Sequence, residues 1–151
     1  MTRLNTDVLS TLIDKKHECL VCLRDMGRRQ YELVHEGSIT GVLDVLSAKQ
    51  DVLARLQSVE RALDPFRNDD PEARHWSSPE RRQLCAQQLQ RCEELLGEIL
   101  AQERQSEQEL VRRRDETAEQ LQGVHTAVQA HGAYARATTR TAHRLDISSD
   151  H

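Results

Sequence analysis

The chain is poor in aromatic residues, in proline and in long apolar runs. One Phe, one Trp and two Tyr among 151 residues are too few for a core built on large rings, so leucine, valine and isoleucine must supply the packing. All three prolines, Pro65, Pro71 and Pro79, fall within one span of fifteen residues, which leaves the rest of the chain free of helix breakers. These absences favour long helices.

Charge and hydropathy exclude several classes of protein. No stretch approaches the about 18 consecutive apolar residues of a membrane helix, and the N-terminus lacks the apolar segment of a signal peptide. The net charge of −4 is small and of the wrong sign for nucleic acid as the main partner. We therefore expect a cytoplasmic protein with no membrane span, no nucleic-acid partner and reduced cysteines.

The stretch from Ser78 to about Ala130 predicts one very long helix. Ser78 can cap its N-terminus, Pro79 suits the first turn, and no proline follows. At about 1.5 Å per residue this helix would be about 80 Å long. Apolar or small residues recur along it at steps of three and four, and we expect the part between residues 103 and 116 to be more solvated because polar side chains interrupt the stripe there. The stripe comprises Cys85, Leu89, Cys92, Leu96, Ile99, Leu110, Thr117, Leu121, Val124 and Val128.

Two shorter helices are predicted before it, from about Asn5 to His35 and from about Ile39 to Leu63. Gly37 suits the left-handed position that ends a helix, and Ser38 can cap the next one. So short a connection makes the two helices antiparallel neighbours, and at about 45 Å and 38 Å they are too short to cover the third. The predicted buried stripe of the first helix comprises Val8, Leu12, Cys19, Cys22, Leu23, Met26, Leu33 and Val34. That of the second comprises Ile39, Val42, Leu43, Leu46, Leu53, Leu56, Val59 and Leu63, and Val45 and Val52 widen it.

Loop composition is confined to residues 64–78 and to the C-terminus. The prolines and the polar run 68–70 exclude helix between residues 64 and 78. At least one of Phe66 and Trp76 should pin this loop to the helices, the alternative being an exposed binding anchor. The apolar pattern stops after Ala130, so we expect a disordered tail over residues 132–151. The sequence thus predicts an all-α fold, in which an antiparallel hairpin and a long third helix form a coiled-coil-like three-helix bundle within residues 1–131.

The cysteines are the main candidates for chemistry. Cys19 and Cys22 form a Cys-x-x-Cys pair beside His17, and Cys85 and Cys92 could add two ligands. All four cysteines nevertheless fall on the predicted stripes at helical spacing, as small buried apolar residues do. The chain also has no phosphate-binding glycine loop and no nucleophile with a local activator. We therefore predict no catalytic site, no metal site and no cofactor.

The order of these features resembles that of the FlgN-type flagellar export chaperones. The likeness is best from His35 to Leu56, which is similar to that family's helix–helix turn followed by a leucine-rich helix with a central lysine, here Lys49. More loosely, the segment Leu89–Leu100, the polar run to Val128 and the region of Tyr134 resemble the family's third helix and tail. The resemblance covers nearly the whole chain.

The resemblance implies an elongated, chaperone-like helical domain that works in the cytoplasm without nucleotide. Such chaperones hold hook-associated proteins of the flagellum before type III export and deliver them to the export apparatus. An amphipathic terminal segment of such a client would pack into a groove as a helix. The client-binding residues would be the stripe positions that the hairpin leaves uncovered, Leu110, Leu121, Val124 and Val128, with Tyr134 beyond them.

Two other functions stay open. The same uncovered residues could pack in a homodimer, which would make the protein a self-associating structural coiled coil without a client. The cysteines could instead serve as a thiol or metal sensor, which requires them to react or to bind metal stoichiometrically.

Overall fold

The computed structural model of the protein describes the backbone of residues 5–148 and the side chains of residues 5–137. It consists of helices α1 (Thr6–Glu36), α2 (Ile39–Arg67) and α3 (Pro79–Ser148), with a short 3-10 helix at Pro71–Ala73. No strand occurs among residues 5–148. The predicted all-α class, with a hairpin followed by a much longer third helix, is confirmed. The chain divides into two units, Met1–Glu109 and Leu110–His151, and α3 contributes residues to both.

The starts of all three helices and the end of α1 lie where local chemistry predicts them. The Asn5 side chain accepts a hydrogen bond from a backbone N–H of the first turn of α1 at 2.8 Å. Gly37 adopts the left-handed conformation with φ of 78°, which ends α1. The hydroxyl oxygens of Ser38 and Ser78 each accept from the N–H three residues further on, at 3.3 Å and 3.2 Å. These caps fix the starts of α2 and α3.

The predicted end of α2 is wrong by one turn, because α2 continues through Pro65 to Arg67. A proline this close to a helix end removes one backbone donor, which is a small loss beside burial of a large ring. Phe66 is buried in the core, and Arg74 Nη2 donates to its carbonyl oxygen at 2.6 Å. Trp76 packs against the same cluster. The expectation that an aromatic ring pins this loop is therefore confirmed, whereas the exclusion of helix from residues 64–78 is not.

The three helices of the unit Met1–Glu109 pack around three apolar clusters. The first cluster joins the start of α1, the end of α2 and the start of α3, so α1 and α3 run parallel and α2 runs antiparallel to both. The second cluster joins the middles of the helices, and the third draws on α1 and α2 beside their turn. Their buried members are Leu9, Ile13, Val59, Leu63, Phe66 and Cys85; Cys19, Leu20, Leu23, Val52, Cys92, Leu95 and Ile99; and Leu33, Val34 and Val42.

On α3 the packed positions repeat every seven residues. Cys85, Cys92, Ile99 and Ser106 are all buried, as is Leu95 between two of them. The prediction placed Leu89 and Leu96 in this stripe, but both are more than two-fifths exposed. Leu96 directly follows the packed Leu95, and because one residue turns a helix by about 100°, Leu96 lies at the edge of the packed face.

The buried faces of α1 and α2 also differ from the predicted ones in part. Val8 on α1 is exposed, and its neighbour Leu9 is buried instead, followed by Ile13 and Leu20. On α2 the valines and Leu63 face the core. Four apolar residues of α2 that were predicted to be buried are exposed. Where two apolar residues are adjacent in a helix, either can lie on the packed face, and only the packing against the other helices decides which one does. These four are Ile39, Leu43, Leu46 and Leu53.

The predicted end of the third helix near residue 131 is wrong, because α3 continues to Ser148. One internal glycine, Gly132, costs a helix about 1 kcal/mol relative to alanine, and the three alanines at 133, 135 and 137 favour helix. No proline follows Pro79 to stop it. Residues 132–148 therefore continue a helix rather than begin a separate tail, and the remainder of the predicted tail, residues 149–151, lies outside the described residues.

Candidate functional site

A polar layer crosses the bundle of the unit Met1–Glu109 and involves all three helices. Lys49 of α2 is only 7 % exposed, and its Nζ donates a hydrogen bond to Gln30 Oε1 of α1 at 2.9 Å. The same ammonium forms an ion pair with the Glu103 carboxylate of α3. Gln30 is buried, whereas the Glu103 side chain is nearly half exposed. One lysine thus connects α2 to both other helices through charge-assisted hydrogen bonds.

Two further side chains of α3 extend this layer. Gln102 Oε1 is buried and has no hydrogen-bond partner among the described residues. A Cβ atom added to Gly27 of α1 would lie 2.5 Å from this oxygen, so Gln102 packs against bare backbone. Ser106, one turn further along α3, is buried. Residues 103–116 are mostly exposed, as expected, and Ser106 is the exception because this serine occupies the next packed heptad position after Ile99.

The polar layer specifies how the helices align. A buried ammonium is costly unless it is paired and hydrogen-bonded, so sliding α3 past α2 would leave Lys49 without its carboxylate. The central lysine noted in the sequence, Lys49, is the residue that joins the three helices in this layer. The sequence did not predict that Gln30 and Glu103 are the partners of this lysine. For Gln30, heptad spacing could have predicted a position in the core, because this residue follows the buried Leu23 by seven residues.

The predicted client-binding residues lie in the unit Leu110–His151, where none of the residues 110–137 is buried. Leu110, Leu121, Val124 and Val128 are between 46 % and 65 % exposed. At 3.6 residues per turn these four side chains fall within about 60° of one another around the helix axis. They therefore form a single uncovered apolar stripe, which we call the distal stripe.

Tyr134 does not belong to the distal stripe. It is 74 % exposed, but its position six residues after Val128 places it about 120° away around the helix. A partner helix lying along the stripe would contact Val128 and leave this tyrosine to one side.

The four cysteines are free thiols within the packed bundle. Cys19, Cys85 and Cys92 are buried, which confirms the predicted burial of these three, whereas Cys22 is only partly buried. Burial raises the pKa of the Cys19, Cys85 and Cys92 thiols above their ordinary value. Because the thiolate is the reactive species, these three side chains are poor nucleophiles. The arrangement gives the thiol-sensor alternative little support.

Comparison with protein-family models, with curated proteins and with solved structures finds no match for this chain. Among the described residues, none of the helices combines the length and the apolar character needed to cross a membrane. The same part of the chain holds no group of three or more His, Cys, Asp or Glu side chains arranged to bind a metal ion. The distal stripe and the polar layer are therefore the features on which a function can be argued.

Proposed function

We propose that the protein is a chaperone-like binding protein whose distal stripe takes up an amphipathic helix of a client. The observation that carries this proposal is the uncovered row Leu110, Leu121, Val124 and Val128. Burial of one such side chain is worth about 1.5–3 kcal/mol, and a helix without packing partners is marginal in water. A client helix that covers the stripe would stabilise both helices.

The resemblance to FlgN-type chaperones supplies the class of client. On this proposal the clients are hook-associated flagellar proteins, held in the cytoplasm by their amphipathic terminal segments and passed to the export apparatus. The bundle of the unit Met1–Glu109 would serve as the folded anchor from which the stripe is presented. Binding by helix-in-groove packing needs neither nucleotide nor metal.

Glutamine substitutions on the distal stripe test this proposal. Changing Leu121, Val124 and Val128 together to Gln removes the apolar surface while keeping good helix formers in α3. We expect affinity for a synthetic terminal helix of a hook-associated protein, measured by calorimetry, to fall by at least about tenfold, equivalent to about 1.4 kcal/mol. Ala130→Gln is the matched control, since residue 130 lies about 180° from residue 121. Equal affinity of the triple variant and the control would refute the proposal.

A second candidate, self-association, is favoured by the spacing of the stripe. Leu110, Thr117 and Val124 are seven residues apart, and Leu121 and Val128 each follow one of them by four, which is a coiled-coil pattern. Sedimentation equilibrium separates the two functions. A stable dimer that the triple Gln variant converts to monomer, with no affinity for the client helix in either protein, would favour a structural coiled coil.

A further inference from the structure

A cavity of about 320 Å³ opens near the start of α1 and α3, beside the loop that joins α2 to α3. Its floor is apolar and includes Leu9, Ile13, Leu63 and Phe66 from the first core cluster. Trp76, which is half-buried, forms part of the wall. Ligand pockets in proteins typically measure about 300–1,000 Å³ and are mainly apolar with a few polar groups. This cavity is therefore large enough for a single chain-like ligand and too small for a helix.

The polar residues around the cavity all carry the same sign of charge. Lys16, Arg67, Arg74 and Arg82 line it, and none of the lining residues is acidic. The carboxylates that pair with these cations lie outside the lining. A ligand in the cavity would therefore meet an apolar floor and a cationic rim.

Two of the four cations are already held tightly by one carboxylate. Glu60 accepts a hydrogen bond from Lys16 at 2.9 Å and forms an ion pair with Arg67. Burial alone would raise the pKa of Glu60, but the hydrogen bonds from these two cations outweigh it and lower the pKa below its ordinary value. This side of the rim is closed by internal pairing.

The other two cations hold their carboxylates loosely. Arg74 Nε lies 3.5 Å from Asp69 Oδ2, and Arg82 Nη2 lies 3.6 Å from Glu72 Oε1. Charge-assisted N–H···O contacts are normally about 2.7–2.9 Å long. An incoming anion could therefore form shorter ionic contacts with these guanidinium groups than Asp69 and Glu72 do, while Arg74 Nη2 keeps its hydrogen bond to the Phe66 carbonyl oxygen.

We propose that this cavity binds a small organic anion with one apolar chain, such as a medium-chain carboxylate. The chain lies against the apolar floor, and the carboxylate lies between Arg74 and Arg82. A neutral alcohol of equal length gains the apolar contacts without the ionic ones, and a cationic amphiphile is repelled by the rim. This site is separate from the distal stripe and does not depend on a client.

Trp76 provides the readout because it is the chain's only tryptophan and lines the cavity. The full-length protein is titrated with decanoate, decanol and decyltrimethylammonium, each below its micelle-forming concentration, while tryptophan fluorescence is recorded. We expect a saturable change with decanoate and a weaker response to the other two. No saturable change with decanoate, or an equal response to all three compounds, would overturn the proposal.

Two neighbouring arginines supply a matched pair of variants. Arg82 lines the cavity, whereas Arg81 pairs with Asp7 outside it, and their side chains are 55 % and 56 % exposed. Arg82→Gln should weaken decanoate binding by about fivefold, as expected for loss of one solvent-accessible ionic contact. Arg81→Gln should leave the affinity unchanged. Equal loss in both variants would show that the rim recognises only net charge and would contradict the proposed position of the head group.

Filling the cavity gives an independent test. Ala86 of α3 is exposed and lines the cavity, so Ala86→Phe places a ring in the space of the apolar chain without replacing a buried residue. We expect this variant to retain its helical circular dichroism and cooperative melt and to lose the response to decanoate. A folded Ala86→Phe protein that binds decanoate as before would refute this site.

Discussion

Asp7 in the first turn of α1 and Arg81 in the first turn of α3 form an ion pair of 2.7 Å. The two residues are 74 positions apart in the chain, and the same separation recurs in two pairs further along the helices. Each of these contacts has at least one solvent-exposed partner, and such contacts contribute little stability, so they indicate the alignment of α1 and α3 more than they cause it. The apolar clusters and the polar layer set that alignment. The recurring pairs are Arg24–Glu98 at 4.0 Å and His35–Glu109 at 3.4 Å.

The pairing of Lys49 with Glu103 can be tested by a double-mutant cycle. Glu103→Leu leaves the buried ammonium with Gln30 as its remaining partner and should lower the free energy of unfolding by about 1–2 kcal/mol, less than for a fully buried pair because Glu103 is partly exposed. Adding Lys49→Met should recover most of this loss, since an apolar chain fills the same space. Urea unfolding measures both. Strictly additive effects would mean that the two side chains do not interact energetically.

Thiol reactivity should follow burial. In the native protein at neutral pH, alkylation with iodoacetamide followed by peptide mass spectrometry should modify Cys22 first, because Cys19, Cys85 and Cys92 are buried and their pKa values are raised. In urea all four should react at similar rates. Faster native labelling of Cys92 than of Cys22 would contradict the packing of the middle cluster.

The loss of unfolding free energy on replacing a cysteine should also increase with the burial of that cysteine. Cys92→Ala should lower the free energy of unfolding by about 1 kcal/mol, the scale expected for deleting a small buried group, and Cys22→Ala should cost less. Thermal melts of the two variants give the comparison. Elemental analysis showing stoichiometric zinc that the Cys19→Ala, Cys22→Ala protein loses would instead support a metal sensor.

Acid should weaken the bundle through Glu60. The pKa of this carboxyl is lower in the folded protein than in the unfolded chain, so its charged form contributes stability at pH values above about 4.5. As the pH falls below this value and through the folded-state pKa, protonation removes the contribution. Glu60→Gln should therefore flatten the fall in unfolding free energy between pH 5 and pH 3, about the range where glutamates titrate. Asp44→Asn, at an exposed position on α2, serves as the control and should leave the steep fall in place.

Substitution by alanine should affect stability differently at two glycines in helix interiors. Gly97 is exposed on α3 with no atom within 4 Å of an added Cβ, so Gly97→Ala should stabilise the protein by about 0.5–1 kcal/mol. In Gly27→Ala the new methyl group must displace Gln102, which should offset that gain. Equal stabilisation by both substitutions in urea unfolding would show that Gln102 does not pack against α1 as described.

Removing the second unit should separate folding from client binding. The chain truncated after Glu109 retains all three apolar clusters and both residues that pair with Lys49, so we expect a cooperative melt. It lacks the distal stripe and should bind no client helix. Retention of full client affinity would move the client site to the bundle, where the exposed leucines of α2 would become the candidates.

The three helices and four of their six ends could be predicted from sequence because caps and glycine act locally, whereas the predicted ends of α2 and α3 were wrong. Asn5, Gly37, Ser38 and Ser78 each fix a boundary through a contact within three residues. The choice between Leu95 and Leu96 could not be predicted in this way, because both fit a three-four repeat and only the opposing helices decide which is buried. The same holds for the partners of Lys49, which lie 19 and 54 residues away in the chain.

The shared offset between α1 and α3 makes the chain unequally tolerant of changes in length. Extra residues between Asn68 and Ser78 would lengthen a surface loop, change every α1–α3 separation by the same number and leave the facing pairs intact, at a closure cost that grows only slowly. A single residue deleted between Arg81 and Leu95 would turn the rest of α3 by about 100° and remove Leu95, Ile99 and Glu103 from their partners. The number of residues within this part of α3 is thus held fixed by the core, whereas the loop is constrained at the points where Arg74, His75 and Trp76 contact the helices.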